Sequence, residues 1–288
     1  MEQKRYVRLI PRLDIKGPNL VKGIHLEGLR VMGDPAIFAK HYYENGADEI
    51  FCMDVVASLY ERNSLTEMIS QIASNIFIPI TVGGGIRSLE DIKKVLDSGA
   101  DKVSLNTAVI RNPKLIESAA HRFGSSTIVV TVEAIKQPNG SYLCFVDNGR
   151  EDTGVEVMEW VRRVESLGAG ELVITSVDRE GTGEGFDLDL IKQVTSLVKI
   201  PVVAHGGAAS VDDIAKLVTE TTVNGIAAAS IFHYDLVAKQ STIADPTAQR
   251  EGNTSFLKAN RSFAKIKPIS LKDAANRLRE MKVVCRAL

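Results

Sequence analysis

The sequence is poor in cysteine, in aromatic residues and in excess charge of either sign. Its 288 residues include three cysteines and one tryptophan, and 35 basic against 36 acidic residues give a formal net charge of −1. Cys52, Cys144 and Cys285 are widely spaced and lack metal-ligand spacing, which predicts reduced thiols, a cytoplasmic location and no metal site. The charge balance lacks the basic surface that is typical of nucleic-acid binding, so no nucleic-acid partner is expected.

Long apolar runs are missing as well. No run approaches the roughly 20 residues that span a bilayer. Residues 1–17 lack the apolar core and the small-residue cleavage site of a secretory signal, so no membrane association is expected. The hydrophobic fraction of 44% still allows a large core, and the chain is long enough for an α/β barrel of about 250 residues.

What the sequence does contain is a regular alternation of strands and helices. Apolar, strand-like runs alternate with helical stretches predicted at 34–45, 64–74, 89–98 and 155–167. The eight runs are VRLIPRLDI, EIFCMDVV, FIPITV, KVSLN, TIVVTVEAI, ELVITSV, IPVVAH and GIAAAS. Continuously apolar strands are typical of a parallel sheet buried on both faces. Their number favours an α/β fold with a closed (βα)8 TIM barrel over the alternative, a doubly wound open sheet.

The chain also repeats itself internally. VGGGIRSLEDI (82–92) matches AHGGAASVDDI (204–214), and GADE (46–49) matches GAGE (168–171) at the same shift. A shared shift at two places indicates duplication. We therefore predict one domain over 1–288, with half-barrels at about 5–123 and 124–235. An insertion at about 235–268 then precedes a closing helix at 271–281.

Two glycine turns follow equivalent strands of the two halves. The first glycine turn (residues 83–85) includes Gly84 and Gly85, and the second glycine turn consists of Gly206 and Gly207. Glycine lets backbone N–H groups approach an anion closely, so the two turns predict a substrate with a phosphate at each end. Further predicted phosphate contacts at the neighbouring strand ends are Asn106, Thr107, Ala229 and Ser230. The alternative is that the glycines only permit tight turns.

Carboxylates end several of the predicted strands. Asp14 and Glu133 end equivalent strands of the two halves, so we expect them to face each other across the barrel mouth. Such a pair suits general acid–base catalysis on a substrate held by its ends. Alternatively, either carboxylate orients a loop or pairs with Lys22. Asp54 and Asp178 are predicted to contact the substrate or to order loops.

From residue 8 to about 234 the chain resembles the HisF family, the cyclase subunits of imidazole glycerol phosphate synthase. The resemblance is carried by LDIKG..LVKG (13–23), EGLR..GDP (27–35), GADE (46–49), PITVGGGIRSLED (79–91), GADKVSLNTA (99–108), LGAGELVITSVDREGT (167–182) and SIFH (230–233). It implies that a bis-phosphorylated aminoimidazole carboxamide ribulotide is converted with ammonia, and without a cofactor, to imidazole glycerol phosphate and an aminoimidazole carboxamide ribotide. It also implies a HisH-type glutaminase partner at the N-terminal face of the barrel. The family's two catalytic aspartates fall on Asp14 and on the position of Glu133, and Lys22 is expected to bind the substrate.

The resemblance further implies a charged floor at the bottom of the barrel, where ammonia enters. This floor consists of Arg8, Glu49, Lys102 and Glu171. Arg8 lies six residues before Asp14 and Lys102 lies four before Asn106, so each pair can share an inward strand face. At about 3.3 Å per residue, the floor is expected about 13–20 Å below the mouth. Two bases and two acids can pair, which reduces the cost of burying them, and a purely structural network is the alternative.

Three features depart from the family pattern. Glu133 replaces an aspartate, and a misplacement of about 1 Å in a catalytic group can cost on the order of a hundredfold in rate. His205 stands where a small residue is expected, so its imidazole would crowd the second glycine turn or become a phosphate ligand. The insertion carries six basic and three acidic residues, and it is predicted to be a lid, a docking surface or an unstructured loop.

Two functional hypotheses follow. In the first, the chain is a working cyclase of histidine biosynthesis with Asp14 and Glu133 as acid and base. In the second, it is a HisF-like paralogue with weak or no cyclase activity. The paralogue channels ammonia from the glutaminase to a sugar-amidating enzyme of surface (lipopolysaccharide) biosynthesis, which docks through the insertion. An isomerase of the related two-phosphate barrel family would fit the glycine turns but not the four charges of the floor.

Overall fold

The computed structural model describes residues 5–56, 64–240 and 265–286. Its strands are β1 (Arg5–Tyr6), β2 (Arg8–Lys16), β3 (Asn19–Ile24), β4 (Glu27–Gly33), β5 (Ile50–Asp54), β6 (Ile80–Gly83), β7 (Lys102–Leu105), β8 (Ile128–Lys136), β9 (Tyr142–Val146), β10 (Glu151–Glu156), β11 (Glu171–Ser176), β12 (Val202–His205), β13 (Gly225–Ala228) and β14 (Val283–Val284). Its α-helices are α1 (Pro35–Glu44), α2 (Ser64–Ala73), α3 (Leu89–Asp97), α4 (Thr107–Arg111), α5 (Lys114–Phe123), α6 (Val157–Ser166), α7 (Leu188–Leu197), α8 (Val211–Glu220), α9 (Ser230–Gln240) and α10 (Leu271–Glu280). Within these ranges, no helix is long and apolar enough to cross a membrane.

Eight parallel strands close into a barrel. Their order around the barrel is β2, β5, β6, β7, β8, β11, β12 and β13. β13 pairs with β2, and β7 pairs with β8, so the ring has no open edge. Helices alternate with these strands along the chain. The predicted TIM barrel is confirmed, and the doubly wound open sheet is excluded.

Two antiparallel hairpins stand at the mouth of the barrel. β3 and β4 pair beside the end of β2, and β9 and β10 pair beside the end of β8. Asp14 is in register with Val21, and Glu133 is in register with Phe145. The first strand of each hairpin therefore lies beside one of the two predicted catalytic carboxylates. The hairpins are not predictable from the sequence pattern, because their short strands lack the long apolar runs of the barrel strands.

The helix boundaries follow from side chains that cap the first turns. Asp34 precedes α1 and accepts a hydrogen bond from the backbone N of Ala36 at 2.7 Å. Ser210 precedes α8 and forms a reciprocal capping box with Asp213. These caps satisfy backbone N–H groups that have no partner within the helix. The predicted helices agree with the observed bounds to within two residues.

The predicted insertion begins within a helix. Helix α9 continues to Gln240, so residues 235–240 lie in it. The apolar Leu236 is buried and holds this part of the helix against the core. The rest of the predicted insertion, 241–264, lies outside the described residues. At its far end the backbone N of Lys267 donates to the carbonyl of Ala209 at 2.7 Å, which ties the chain to the loop before α8.

Inside the barrel, side chains lie in layers because alternate residues of each strand point inward. The middle layer is apolar and is separate from the larger core between strands and helices. It includes Ile10, Phe51, Val129, Val173, Val203 and Ala227. Charged groups lie above and below this layer, so the barrel has a charged floor and a charged mouth separated by apolar side chains.

Candidate active site

The charged floor closes the N-terminal end of the barrel. Glu49 accepts from Arg8 Nη1 at 2.8 Å and from Lys102 Nζ at 2.9 Å, and Lys102 also lies 2.9 Å from Glu171. Arg8 completes the ring by pairing with Glu171. Burial would raise the pKa of Glu171, but Arg8 and Lys102 outweigh burial and lower it. The structure thus brings all four predicted residues together in one ionised network.

Above the apolar layer, Arg12 forms an ion pair with Asp14, two residues further along β2. Its Nε lies 2.8 Å from Oδ1 of Asp14, and its guanidinium lies 5.6 Å from the centre of the Phe51 ring. Both Arg12 and Asp14 are only 2% exposed. Burial would raise the pKa of Asp14, but Arg12 and Lys22 outweigh burial and the pKa falls from 3.8 to about 2. Asp14 is therefore ionised at neutral pH and enclosed by cations of the protein itself.

Lys22 is shared between two carboxylates. Its Nζ lies 3.6 Å from Oδ2 of Asp14 and forms an ion pair with Glu180. Glu180 is also buried, and its second oxygen accepts from the backbone N of Leu26 at 2.9 Å. Two roles are expected for Lys22, binding the substrate and pairing with a carboxylate. Its contacts match the pairing with Asp14. Its charge is already neutralised within the protein.

His205 is held inside the barrel by a guanidinium group and a hydroxyl group. Its Nδ1 lies 3.3 Å from Arg12 Nη1 and 3.2 Å from the Thr175 hydroxyl. A guanidinium only donates, so Nδ1 accepts and the ring proton is on Nε2. Burial, with Arg12 as the next cause, lowers the pKa of His205 well below 6.5. The imidazole is thus neutral and fixed by its contacts.

Glu133 is in a different environment from Asp14. Its Oε2 accepts from the backbone N of Gly149 at 2.8 Å, and the side chain of Asn106 also bonds to it. Burial raises the pKa of Glu133 from 4.5 to about 7, although Gly149, Arg12 and Asn106 partly oppose this. A carboxyl group with a pKa near neutrality can both donate and accept a proton.

The first glycine turn borders a cavity of about 350 Å³, here called the first cavity. Its lining includes the predicted site residues Asp54, Gly84, Gly85, Asn106, Thr107 and Glu133. Gly84 has φ +101°, and a Cβ there would lie 2.2 Å from the carbonyl oxygen of Asp54. Glycine is therefore required by packing at this turn, and the turn also exposes its backbone to a space large enough for a small ligand.

The second glycine turn borders a cavity of only about 20 Å³, here called the second cavity. Its lining includes Lys22, Glu180, His205, Gly206, Gly207, Ala229 and Ser230. A water molecule needs roughly 10–15 Å³ of such space, so the second cavity has room for about one. At Gly207 a Cβ would lie 2.1 Å from the carbonyl oxygen of Gly185, so packing requires glycine here too. The two turns match in sequence but not in the space beside them.

The two remaining predicted carboxylates order loops. Asp54 Oδ1 accepts from the backbone N of Val56 at 2.9 Å, and Asp54 also borders the first cavity. Asp178 is exposed, and its Oδ2 accepts from the backbone N of Lys136 at 2.8 Å. Asp178 borders neither of the two cavities. Its contacts match the loop-ordering alternative.

Sequence reasoning overlooked two buried residues of the mouth, Arg12 and Glu180. Arg12 could have been found, because it lies four residues after Arg8 and two before Asp14 and so shares their inward strand face. Glu180 had no such signal, because its partner Lys22 is 158 positions away in the chain. Over the same described ranges, no group of three or more His, Cys, Asp or Glu side chains is placed to hold a metal ion.

Fold and mouth together define a (βα)8 barrel with paired glycine turns, two opposed carboxylates and an ionised floor. Comparisons with known proteins show which family of such barrels the chain belongs to. The profile of the family described as "Histidine biosynthesis protein" matches residues 8–238. "Imidazole glycerol phosphate synthase subunit HisF" of Legionella pneumophila is 56% identical over 207 residues, covering 72% of this chain and 98% of that protein. Proteins of the same name from Streptococcus sanguinis and Alkaliphilus metalliredigens are each 44% identical, over 82% and 80% of this chain and 93% and 92% of their own lengths. The chain belongs to the histidine biosynthesis protein family, as a HisF member.

Proposed function

We propose that this HisF-type barrel passes ammonia from a HisH-type glutaminase partner to an acceptor enzyme and has little or no cyclase activity of its own. The observation that carries the proposal is the buried ion pair of Arg12 with Asp14. Arg12 and Lys22 hold the pKa of Asp14 at about 2, below the 3.8 of an ordinary aspartate, so its carboxylate is a weaker proton acceptor. In this proposal, Asp14 is therefore a poor base for cyclase chemistry.

The floor supports the ammonia-transfer part of the proposal. Arg8, Lys102 and Glu171 are the first residues of β2, β7 and β11, which places the network at the N-terminal face. Two exposed aromatic side chains belong to the same end, since Tyr6 precedes β2 and Phe77 precedes β6. They are 66% and 82% exposed. Exposed aromatic residues are typical anchors of protein interfaces, which favours this face for the glutaminase.

The acceptor in this proposal is an enzyme that amidates a sugar in surface polysaccharide biosynthesis. This enzyme would dock through the insertion that the sequence predicts at about 235–268. Most of that segment lies outside the described residues, so this docking rests on the sequence alone. The altered mouth supports an acceptor other than the family substrate, because His205, which contacts Arg12, lines the small cavity at the second glycine turn.

A working cyclase is the second candidate function, and Glu133 favours it. This carboxyl group borders the first cavity and has a pKa of about 7, close to the value that suits general acid–base catalysis at neutral pH. The names of the relatives also favour it. In this alternative the chain is a lyase of the imidazole glycerol phosphate synthase type, with Asp14 and Glu133 as the acid–base pair.

One mixture tests both candidates. The purified chain is combined with a HisH-type glutaminase, glutamine and the bis-phosphorylated ribulotide, and glutamate and imidazole glycerol phosphate are measured together. We expect glutamine hydrolysis to rise by about 5-fold or more, the lower range of typical coupling between sites, without imidazole product. Phe77→Ala should weaken this stimulation, whereas Ile37→Ala, an exposed apolar residue on α1, should not. An unstimulated glutaminase would contradict ammonia transfer, and product formation would favour the cyclase.

A further inference from the structure

We infer that a groove between helices α1 and α10 binds one doubly charged oxyanion group, such as a phosphate. The lining of this groove, here called the helix groove, includes Asn45, Gly46, Lys272, Asn276, Arg279 and Arg286. It shares no lining residue with the first or the second cavity, so it is separate from the barrel mouth. The inference goes beyond the transfer of ammonia and does not depend on it.

The size of the helix groove matches a single small anion. Its volume is about 130 Å³. Pockets for drug-sized ligands have roughly 300–1,000 Å³, and one water molecule needs roughly 10–15 Å³. A tetrahedral oxyanion is larger than a water molecule and smaller than a drug-sized ligand. The helix groove therefore has room for such a group and a few waters.

The charge of the helix groove is positive. Its lining contains the cations of Lys272, Arg279 and Arg286, and among the described residues it contains no carboxylate. The neighbouring carboxylate of Asp48 is bound to backbone N–H groups, of Leu9 at 2.7 Å and of Arg286 at 2.8 Å. Because attraction grows with the charge of the ligand, three cations in one groove favour a divalent anion over a monovalent one.

The two guanidinium groups are already fixed in place. Arg286 donates through Nη1 to the carbonyl of Ala47 at 3.0 Å and lies 4.9 Å from the centre of the Tyr43 ring. Arg279 donates to Oδ1 of Asn276 at 2.9 Å and to the carbonyl of Arg286 at 3.2 Å. A guanidinium has five N–H donors, so each keeps donors for an oxyanion. Side chains that are ordered before binding lose less entropy when a ligand binds.

The negative end of α1 borders the same groove and would by itself repel an anion. Side chains cover the carbonyl groups there. Asn45 Nδ2 donates to the carbonyl of His41 at 2.7 Å, and Nη1 of Arg286 lies 3.4 Å from the carbonyl of Tyr43. These donors offset the negative end of the helix, so the cations of the groove decide its charge preference.

Amide NMR on the full chain tests the inference with inorganic phosphate and acetate at constant ionic strength. The pH is about 8, where a phosphate group is doubly charged and acetate is singly charged. We expect the amide signals of Gly46 and Arg286 to shift with phosphate until they saturate, and to respond more weakly to acetate. Arg279→Gln should weaken phosphate binding at these signals by about tenfold, as expected for one lost bond to a charged group.

Arg277→Gln is the matched control. It makes the same change on the same helix, but Arg277 pairs with Glu280 at 3.1 Å and does not line the helix groove. It should leave phosphate binding unchanged. Lys272→Gln, at an exposed site in the lining, should weaken phosphate binding as Arg279→Gln does. The signal of Gly84 reports on the mouth and should respond alike in all these proteins.

Three outcomes would overturn the inference. They are shifts at Gly46 and Arg286 that do not saturate with phosphate, an equal response to phosphate and acetate, and equal phosphate affinity of Arg279→Gln and Arg277→Gln. A phosphate response confined to Gly84 belongs to the first of these. None of these measurements involves a glutaminase or the ribulotide, so their failure leaves the proposed transfer of ammonia standing.

Discussion

The guanidinium of Arg12 and the carboxylate of Asp14 form a buried ion pair, with 2.8 Å between Nε and Oδ1. They lie two positions apart on β2 and point into the same barrel interior, between the apolar layer and the mouth. Arg12 thus lowers the pKa of Asp14, the carboxylate that the family resemblance marks as catalytic.

Arg12→Met should destabilise the fold. Removing the guanidinium leaves Asp14 buried with Lys22 at 3.6 Å as its nearest remaining cation. Losing one partner of a buried pair typically costs about 3–5 kcal/mol, so we expect a loss of about 3 kcal/mol in the free energy of unfolding, measured with urea. Adding Asp14→Asn should recover part of this loss. Lys93→Met, in an exposed pair with Asp97, is the matched control and should change little. If Arg12→Met left the free energy of unfolding unchanged, the ion pair would not contribute to the stability of the fold.

Glu133 should make stability depend on pH. Its pKa is about 7 in the folded chain against 4.5 ordinarily, so the folded state binds more protons between these values. Stability therefore falls as pH rises through this window, by about 3 kcal/mol at most for this group. Glu133→Gln stays neutral and should lose this dependence. Relative to wild type, the variant should gain stability between pH 4.5 and pH 8 in urea titrations.

A surface carboxylate provides the control for that titration. Glu44 is exposed, and its side chain lies 4.0 Å from Lys40. Glu44→Gln should follow the wild-type curve across the same pH range. If Glu133→Gln also follows it, Glu133 is ionised at the same pH as an exposed glutamate.

The floor should behave as a coupled unit. Lys102 and Glu171 lie 2.9 Å apart with little exposure, so Lys102→Met and Glu171→Gln should be non-additive. A double-mutant cycle on the free energy of unfolding should give a coupling of about 1.5 kcal/mol or more. The exposed pair of Arg111 with Glu151 has the same 2.9 Å separation, and its cycle should give about 0.5 kcal/mol or less. Equal couplings in the two cycles would contradict a buried network.

Tyr42→Phe should destabilise the fold, because it removes the hydrogen-bond partner of the buried His233. The Tyr42 hydroxyl lies 2.6 Å from Nδ1 of His233, and both residues are buried. Burial lowers the pKa of His233 to about 3, so the ring is neutral and relies on this bond. Removing the hydroxyl should cost about 1–3 kcal/mol in thermal or urea unfolding. Tyr6→Phe, at an exposed site, serves as control, and a similar small effect of both changes would refute the prediction.

The barrel could be predicted from the sequence because its strands are apolar and its halves repeat. The floor could be predicted as well, since the resemblance supplied all four of its residues and the even spacings of Arg8 and Lys102 to mouth residues agree with it. These signals depend on strand periodicity, which is local. The inward direction of Arg12 follows from the same periodicity, but its ion pair with Asp14 depends on side-chain conformation, which periodicity does not give.

The inequality of the two glycine turns could be predicted only in part. His205 indicated a change at the second turn, but whether its ring would face the turn or the barrel interior depends on Arg12 and Thr175. The pairing of Lys22 with Glu180 joins residues 158 positions apart. Such contacts are set by the closed barrel rather than by any local pattern. The hairpin turn that places Gly149 against Glu133 has the same origin.

Cyclase turnover with saturating ammonium salt, in wild type and in Asp14→Asn, tests the central claim most directly. Ammonium removes any need for the glutaminase, so the assay reports the chemistry of the mouth alone. The ion pair of Arg12 with Asp14 predicts no imidazole glycerol phosphate above background and no difference between the two proteins. Turnover of about 1 s⁻¹ or faster, the range of ordinary enzymes, that disappears in Asp14→Asn would contradict it.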